Sequence, residues 1–223
     1  MNSQKMFLRG ALSLLCALGL SLTSMSASAV LVSETGLSNG LSTGSLTLPV
    51  TAGAQNYFAG LQKLSVGGEA ELAYCIDPFQ WSPNTPVNYV ERTDFSVFFG
   101  ARASDISKLY SLFYTSTLQS GATGNLNAAG FQLALWELVA DNKILGTGVV
   151  HTNANTNASI VTKAQSMLTA LSGVAGRDQF SYEILTSSTN QDYLVVTQIP
   201  EPESYALVVL ALAALGFASR RKI

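Results

Sequence analysis

Residues 69–79 read Glu-Ala-Glu-Leu-Ala-Tyr-Cys-Ile-Asp-Pro-Phe, and this stretch divides the chain. Glu69 to Ile76 has the composition of a strand that runs into a core, and Asp77-Pro78 closes it. Proline has no N–H to give to a sheet ladder, so Cys75 stands at the end of the strand. On the N-terminal side, Gly67-Gly68 marks a turn and Tyr57 to Val66 reads as either a second strand or a poorly formed helix. Further back, residues 30–55 are rich in Gly, Ser and Thr. Ser45 to Val50 alternates at period two there, as a half-buried strand does, with Pro49 favouring an edge.

On the C-terminal side, residues 80–88 form a loop with Pro83 and Pro86. Tyr89-Val90-Glu91 and Phe95 to Phe99 read as short strands before Gly100. The period then changes. Ile106, Leu109, Tyr110, Phe113 and Leu118 recur at helical spacing behind Ser104 or Asp105 as N-cap. Gly121 to Gly124 should break that helix, and a second should start near Asn125–Asn127 and run through Val139 to a stop at Asp141-Asn142. Residues 148–156 read as a polar loop carrying His151, the only histidine. A third helix is expected over residues 158–171. Residues 179–185 and 193–198 should close a hairpin around Thr189-Asn190. Strands, a run of helices and strands again predict an α+β domain. Its antiparallel sheet should be sandwich-like or barrel-like, with an inserted helical subdomain of about three helices.

Both ends read as targeting segments. Lys5 and Arg9, an apolar run from Ala11 to Leu22 and Ala27-Ser28-Ala29 have the layout of a secretory signal peptide cut after Ala29. Bulky Leu15 before Cys16 disfavours a lipoprotein signal. At the other end, Pro200-Glu201-Pro202 precedes an apolar segment, residues 205–218, and a basic end at Arg220, Arg221 and Lys222. Fourteen apolar residues at about 1.5 Å each reach about 21 Å, so spanning a hydrocarbon core of roughly 30 Å needs snorkelling or thinning. The basic cluster places that end on the cytoplasmic side. The expected domains are therefore a signal peptide at 1–29, a surface domain at 30–198 and a sorting segment at 199–223. Without the two ends the chain is acidic, at about −5. It has no basic patch, and nucleic acid is not an expected partner.

Removal of Cys16 with the signal leaves Cys75 as the only thiol, so no intramolecular disulfide can form. A lone cysteine of an exported protein is a buried small hydrophobe, an intermolecular bridge or a reactive centre. One histidine, one cysteine and scattered carboxylates give no metal-ligand cluster and no calcium-loop spacing. A phosphate-cradling glycine loop is missing as well, so no cofactor is expected. Cys75 with His151 as base would be a cysteine hydrolase, but neither residue lies in a nucleophile signature.

Two resemblances add to these readings. The order of Pro200-Glu201-Pro202, apolar segment and Arg220-Arg221-Lys222 resembles the PEP-CTERM sorting signal of Gram-negative bacteria that export polysaccharide. It implies an exosortase-type sorting enzyme as partner, transient anchoring in the inner membrane, and a final place at the cell surface or in an extracellular, biofilm-type matrix. Tyr74-Cys75-Ile76 on a strand, followed by Gln132-Leu133-Ala134-Leu135-Trp136 on a helix, resembles the thioester domains of bacterial surface adhesins. That resemblance implies a bond from the Cys75 sulfur to the side-chain carbonyl carbon of Gln132, with Tyr74 and Trp136 around it. It further implies covalent capture of an amine-bearing surface or matrix partner, used once and without turnover, so the chain is not expected to be an enzyme. Gln132 and Trp136 are four apart and share a helix face, where an indole can roof the bond against water. The alternative is a structural or binding protein of the matrix that acts without a covalent bond and keeps Cys75 free and buried.

Overall fold

The computed structural model describes residues 29–83, 85–175, 179–199 and residue 210. Most of the expected signal peptide and all of Pro200, Glu201, Pro202, Arg220, Arg221 and Lys222 lie outside them. Eight strands and four helices follow one another: β1 (Ala29–Ser42), β2 (Gly44–Thr47), β3 (Phe58–Val66), β4 (Glu69–Cys75), β5 (Val87–Arg92), α1 (Phe95–Phe99), α2 (Ala103–Thr117), α3 (Gly121–Ala140), β6 (His151–Thr156), α4 (Ala158–Ala170), β7 (Phe180–Thr186) and β8 (Tyr193–Gln198). Six strands pair antiparallel around a closed ring in the order β1-β3-β4-β8-β7-β5, and β2 pairs with β6 in a separate ribbon. The α+β class, with helices inserted between two groups of strands, is as the sequence predicts.

Gly67 and Gly68 have φ of 59° and 100°, as a tight turn between β3 and β4 demands. Successive residues of β4 then face different cores. Leu72 and Tyr74 join the larger core under the helices, whereas Ala73 joins a smaller one with Tyr89, Tyr193 and Val195. Through the centre of the larger core runs α3, buried from Asn127 to Val139. A helix apolar around its whole circumference must lie inside a fold, because it has no face to offer to water.

Four local expectations are corrected. Phe95 to Phe99 is a helical turn rather than a strand. Spacing of four lets the Phe95 and Phe99 rings meet at 5.0 Å, and Phe95 also stacks on Tyr182 at 4.0 Å; this packing overrides the β-propensity of the aromatics. The helix after it starts at Ala103, following a 3-10 turn, and has no side-chain cap; Asp105 instead pairs with Lys108 and Lys143. Gly121 to Gly124 belongs to α3 rather than interrupting it. A Cβ at Gly124 would stand 1.6 Å from the Gln119 carbonyl oxygen, so this position is held for close approach. The expected capping asparagines bind other segments: Asn125 accepts from the Gly40 N–H and Asn127 donates to the Ser116 carbonyl. Lastly, the polar stretch around His151 is a strand, β6, defined by its pairing with β2.

Long β1 was hidden by its composition. Gly40 faces Gly60 across the β1–β3 ladder. A Cβ at Gly60 would lie 2.3 Å from the Asn39 carbonyl oxygen, and both residues have φ above +150°. Only glycine admits that approach in that conformation.

Candidate functional site

Pairing of β3 with β4 ends at Gln62↔Ala73, whereas pairing of β8 with β4 continues to Cys75↔Tyr193. The Ile76 N–H carries the run one step further, to the Asp192 carbonyl oxygen at 2.9 Å. Cys75 therefore has a neighbouring strand on one edge only. On the other edge its main chain meets the side chain of Gln132 from α3. The Cys75 N–H donates to Gln132 Oε1 at 3.1 Å, and Gln132 Nε2 donates to the Cys75 carbonyl oxygen at 2.8 Å. The carboxamide thus acts as a short piece of strand, satisfying two buried main-chain groups that would otherwise be unpaired.

One turn along α3, the Trp136 indole N–H donates to Cys75 Sγ at 3.3 Å, and the thiol faces the Asp77 carbonyl oxygen at 3.4 Å. Cys75 and Gln132 are at most 1% exposed and Trp136 is 3% exposed. Tyr74, also fully buried, turns to the helices, with its ring 4.5 Å from Phe131 and edge-on to Tyr110 and Tyr114. It anchors the strand end on α2 and α3.

Electrostatics work against a thiolate. Burial pushes the Cys75 thiol far above its ordinary range, the Trp136 N–H and the Asp77 main chain pull it back in part, and Asp77 and Asp192 add repulsion. Asp192 is itself raised to about 6, first by burial and then by Asp77, against the Ser187 N–H that holds it. His151 is exposed on β6, opposite Thr47, while the hydrogen-bond partners of the thiol are Trp136 and Asp77. The site offers Cys75 no imidazole among these contacts. Among the described residues there is no group of three or more metal-ligating side chains, and no helix is long and apolar enough to cross a membrane.

The sequence pointed to Cys75, Gln132, Trp136 and Tyr74, and the fold brings the first three together within hydrogen-bonding reach. It did not point to Asp192, whose signal was only its place next to a buried strand. Gln62 and Gln80 were missed too; a glutamine inside an otherwise apolar strand such as β3 is the mark that could have found the first.

Residues 198–222 match the family described as PEP-CTERM protein-sorting motif. The chain therefore carries a C-terminal signal for export and for processing at the membrane by an exosortase-type enzyme. No curated protein matches the chain in sequence. Among solved structures, the N-terminal domain of the Streptococcus pyogenes pilus tip adhesin Cpa is similar, with a TM-score of 0.46 and 13% identity, over 75% of this chain and 98% of that one. The N-terminal thioester domain of a surface protein from Clostridium perfringens gives 0.43 and 12% identity, over 62% of this chain and 89% of the other. A cysteine-to-alanine mutant of the Clostridium domain gives 0.42 and 13%, over 61% and 89%.

Proposed function

We propose that this is an exported surface protein whose folded domain closes an internal thioester between Cys75 and Gln132 and uses it once, to capture an amine-bearing partner covalently. The observation that carries the reading is the double hydrogen bond between the Gln132 carboxamide and the Cys75 main chain, beneath the Trp136 indole. A carboxamide is a poor electrophile, so attack by sulfur needs fixed geometry, a stabilised oxyanion and exclusion of water. Each is supported by a named contact. The Cys75 N–H already points at Gln132 Oε1, where negative charge would develop. Burial at both residues keeps water out, and the Trp136 N–H orients the sulfur.

Atoms balance simply in both steps. On closure, the Cys75 sulfur bonds to the Gln132 side-chain carbonyl carbon, the C–N bond breaks, and the nitrogen leaves as ammonia with the thiol proton. On capture, an amine nitrogen bonds to the same carbon, the C–S bond breaks, and the amine's proton returns to sulfur. The products are an amide at Gln132 and a free thiol at Cys75. No third group is consumed and nothing regenerates the bond, so the domain is a single-use reagent rather than an enzyme. Sorting through Pro200-Glu201-Pro202 would place it at the cell surface or in the surrounding matrix.

Intact mass of the mature protein tests the bond. The expected mass is one ammonia below that of the sequence, restored to full value in Cys75→Ala and Gln132→Ala. Methylamine should add to the wild type alone. A full wild-type mass together with one titratable thiol in the unfolded protein would instead establish the non-covalent alternative, with Cys75 free and buried.

A further inference from the structure

A cleft of about 300 Å³ opens beside Trp136, between β1, β3 and the loops before β3 and after β4. Two of its carbonyl oxygens are buried without a partner. Gln62 is 7% exposed, and its Oε1 is buried without a hydrogen-bond partner. Gln80 Oε1 is likewise buried and unpaired. Glu34 is the carboxylate on the cleft, and no Lys or Arg lines it among the described residues. Buried acceptors left unpaired are destabilising unless a ligand supplies donors. The walls are aromatic: Trp81 is 55% exposed and its ring lies 5.8 Å from that of Tyr57.

From this geometry we infer that the cleft is a recognition site for a primary alkylammonium of the lysyl kind, bound by Gln62, Gln80 and Glu34, with its aliphatic stem against Trp81 and Tyr57. An ammonium brings three donors and no acceptor, the complement of unspent carbonyl oxygens and a carboxylate. Tryptophan and tyrosine faces attract a cation, and an aliphatic stem packs well on them. An anion would meet the Glu34 carboxylate with no Lys or Arg on the cleft to offset it among the described residues. A neutral hydroxyl could donate to the same oxygens but brings no positive charge to the Glu34 carboxylate or the ring faces. Burial raises the Glu34 carboxyl above its ordinary range, with Ser82 pulling it back; a bound cation would lower it further.

The inference deepens the thioester reading and rests on it in so far as the cleft is the amine's approach to Gln132. Binding itself can be read without the bond. Both tryptophans of the chain, Trp81 and Trp136, lie on this one cleft, so intrinsic fluorescence reports its occupancy. The experiment uses the mature Cys75→Ala chain, in which no thioester can form, titrated with Nα-acetyl-lysine methylamide, its neutral norleucine counterpart and glucose. The expected result is a saturable change with the lysine derivative, at least tenfold weaker in Glu34→Gln and in Gln62→Leu, with little response to the neutral compounds. No response to the lysine derivative, equal response to the norleucine compound or to glucose, or unchanged binding in Glu34→Gln would overturn it. Glu34 is only partly buried, so that variant keeps the test intact should Gln62→Leu fail to fold. Loss of the ammonia signature from the wild-type mass would defeat the thioester reading alone, and leave this result to stand or fall by itself.

Discussion

Replacing Gln132 by leucine should destabilise the domain more than replacing Cys75 by alanine. The reason lies in what each change leaves unpaired. Leucine has about the volume of glutamine, so little cavity opens, but the Cys75 N–H and carbonyl oxygen lose their partners at 3.1 and 2.8 Å. A buried main-chain group deprived of its partner costs about 1–3 kcal/mol, so the pair amounts to about 2–6 kcal/mol. In Cys75→Ala both of those bonds survive. The loss there is one small sulfur and the acceptor of the Trp136 N–H, about 1–3 kcal/mol.

Neither variant can form a thioester, so their difference is independent of whether the wild type carries one. Urea unfolding followed by tryptophan fluorescence measures it. With slopes of about 1–3 kcal/mol per molar urea, a difference near 2 kcal/mol moves the midpoint by roughly 1 M. A Gln132→Leu midpoint equal to or above that of Cys75→Ala would refute the argument that the carboxamide completes the strand edge.

Other expectations follow from single contacts. Glu137 is fully buried, neither of its oxygens has a hydrogen-bond partner of ordinary geometry, and burial with help from Asp141 raises its pKa from 4.5 to about 8 against the Lys143 and Ile144 N–H groups. The unfolded chain therefore ionises first. The group's contribution to stability is whole below pH 4.5 and is lost as pH rises through about 8, with a slope of up to about 1.4 kcal/mol per pH unit. Glu137→Gln should flatten the dependence of the urea midpoint between pH 5 and pH 8, and an unchanged slope would contradict it. Gly60→Ala forces a Cβ to within 2.3 Å of the Asn39 carbonyl oxygen at positive φ. It should cost at least about 2 kcal/mol in thermal or urea unfolding; a neutral effect would show the β1–β3 approach to be looser than described. Phe95→Ala removes the stack on Tyr182 and the edge contact with Phe99, for a loss of about 1–3 kcal/mol by the same assay. A variant as stable as the wild type would show that α1 does not depend on that packing.

What the sequence made legible and what it hid have physical causes. The strand from Glu69 to Cys75 and the hairpin of β7 and β8 were legible because their apolar residues run in short blocks bounded by glycine, proline or polar turns. α2 and α4 were legible through one-sided apolar spacing. β6 was not, because five of its six residues are solvated or only half-buried, and its backbone is organised by β2 rather than by a core face. The start of α3 was obscured by Gly121, which has a φ of 80°, and by Gly124, where a Cβ would collide with the Gln119 carbonyl oxygen. At the site, spacing of four announced that Gln132 and Trp136 share a face. No spacing could announce that the Gln132 amide would replace a missing strand partner of Cys75, since that depends on where β3 stops pairing with β4.

That dependence bears on how the proposed bond could form and persist. A thiol held protonated by burial is a weak nucleophile, and a carboxamide is a weak electrophile, so neither residue is activated in the usual way. What the site has instead is alignment: one residue, Cys75, carries both the sulfur and the N–H that polarises its target carbonyl. The same burial that slows attack by the thiol would protect a thioester from water once closed. A small amine arriving beside Trp136 would meet an electrophile whose leaving group is a thiol that gains a proton and stays buried. Capture would run downhill because a thioester is a better electrophile than the amide that replaces it, and the released Cys75 returns to an environment that disfavours its thiolate. On this reading the raised pKa of Cys75, which taken by itself argues for an inert cysteine, is the property that makes attachment last.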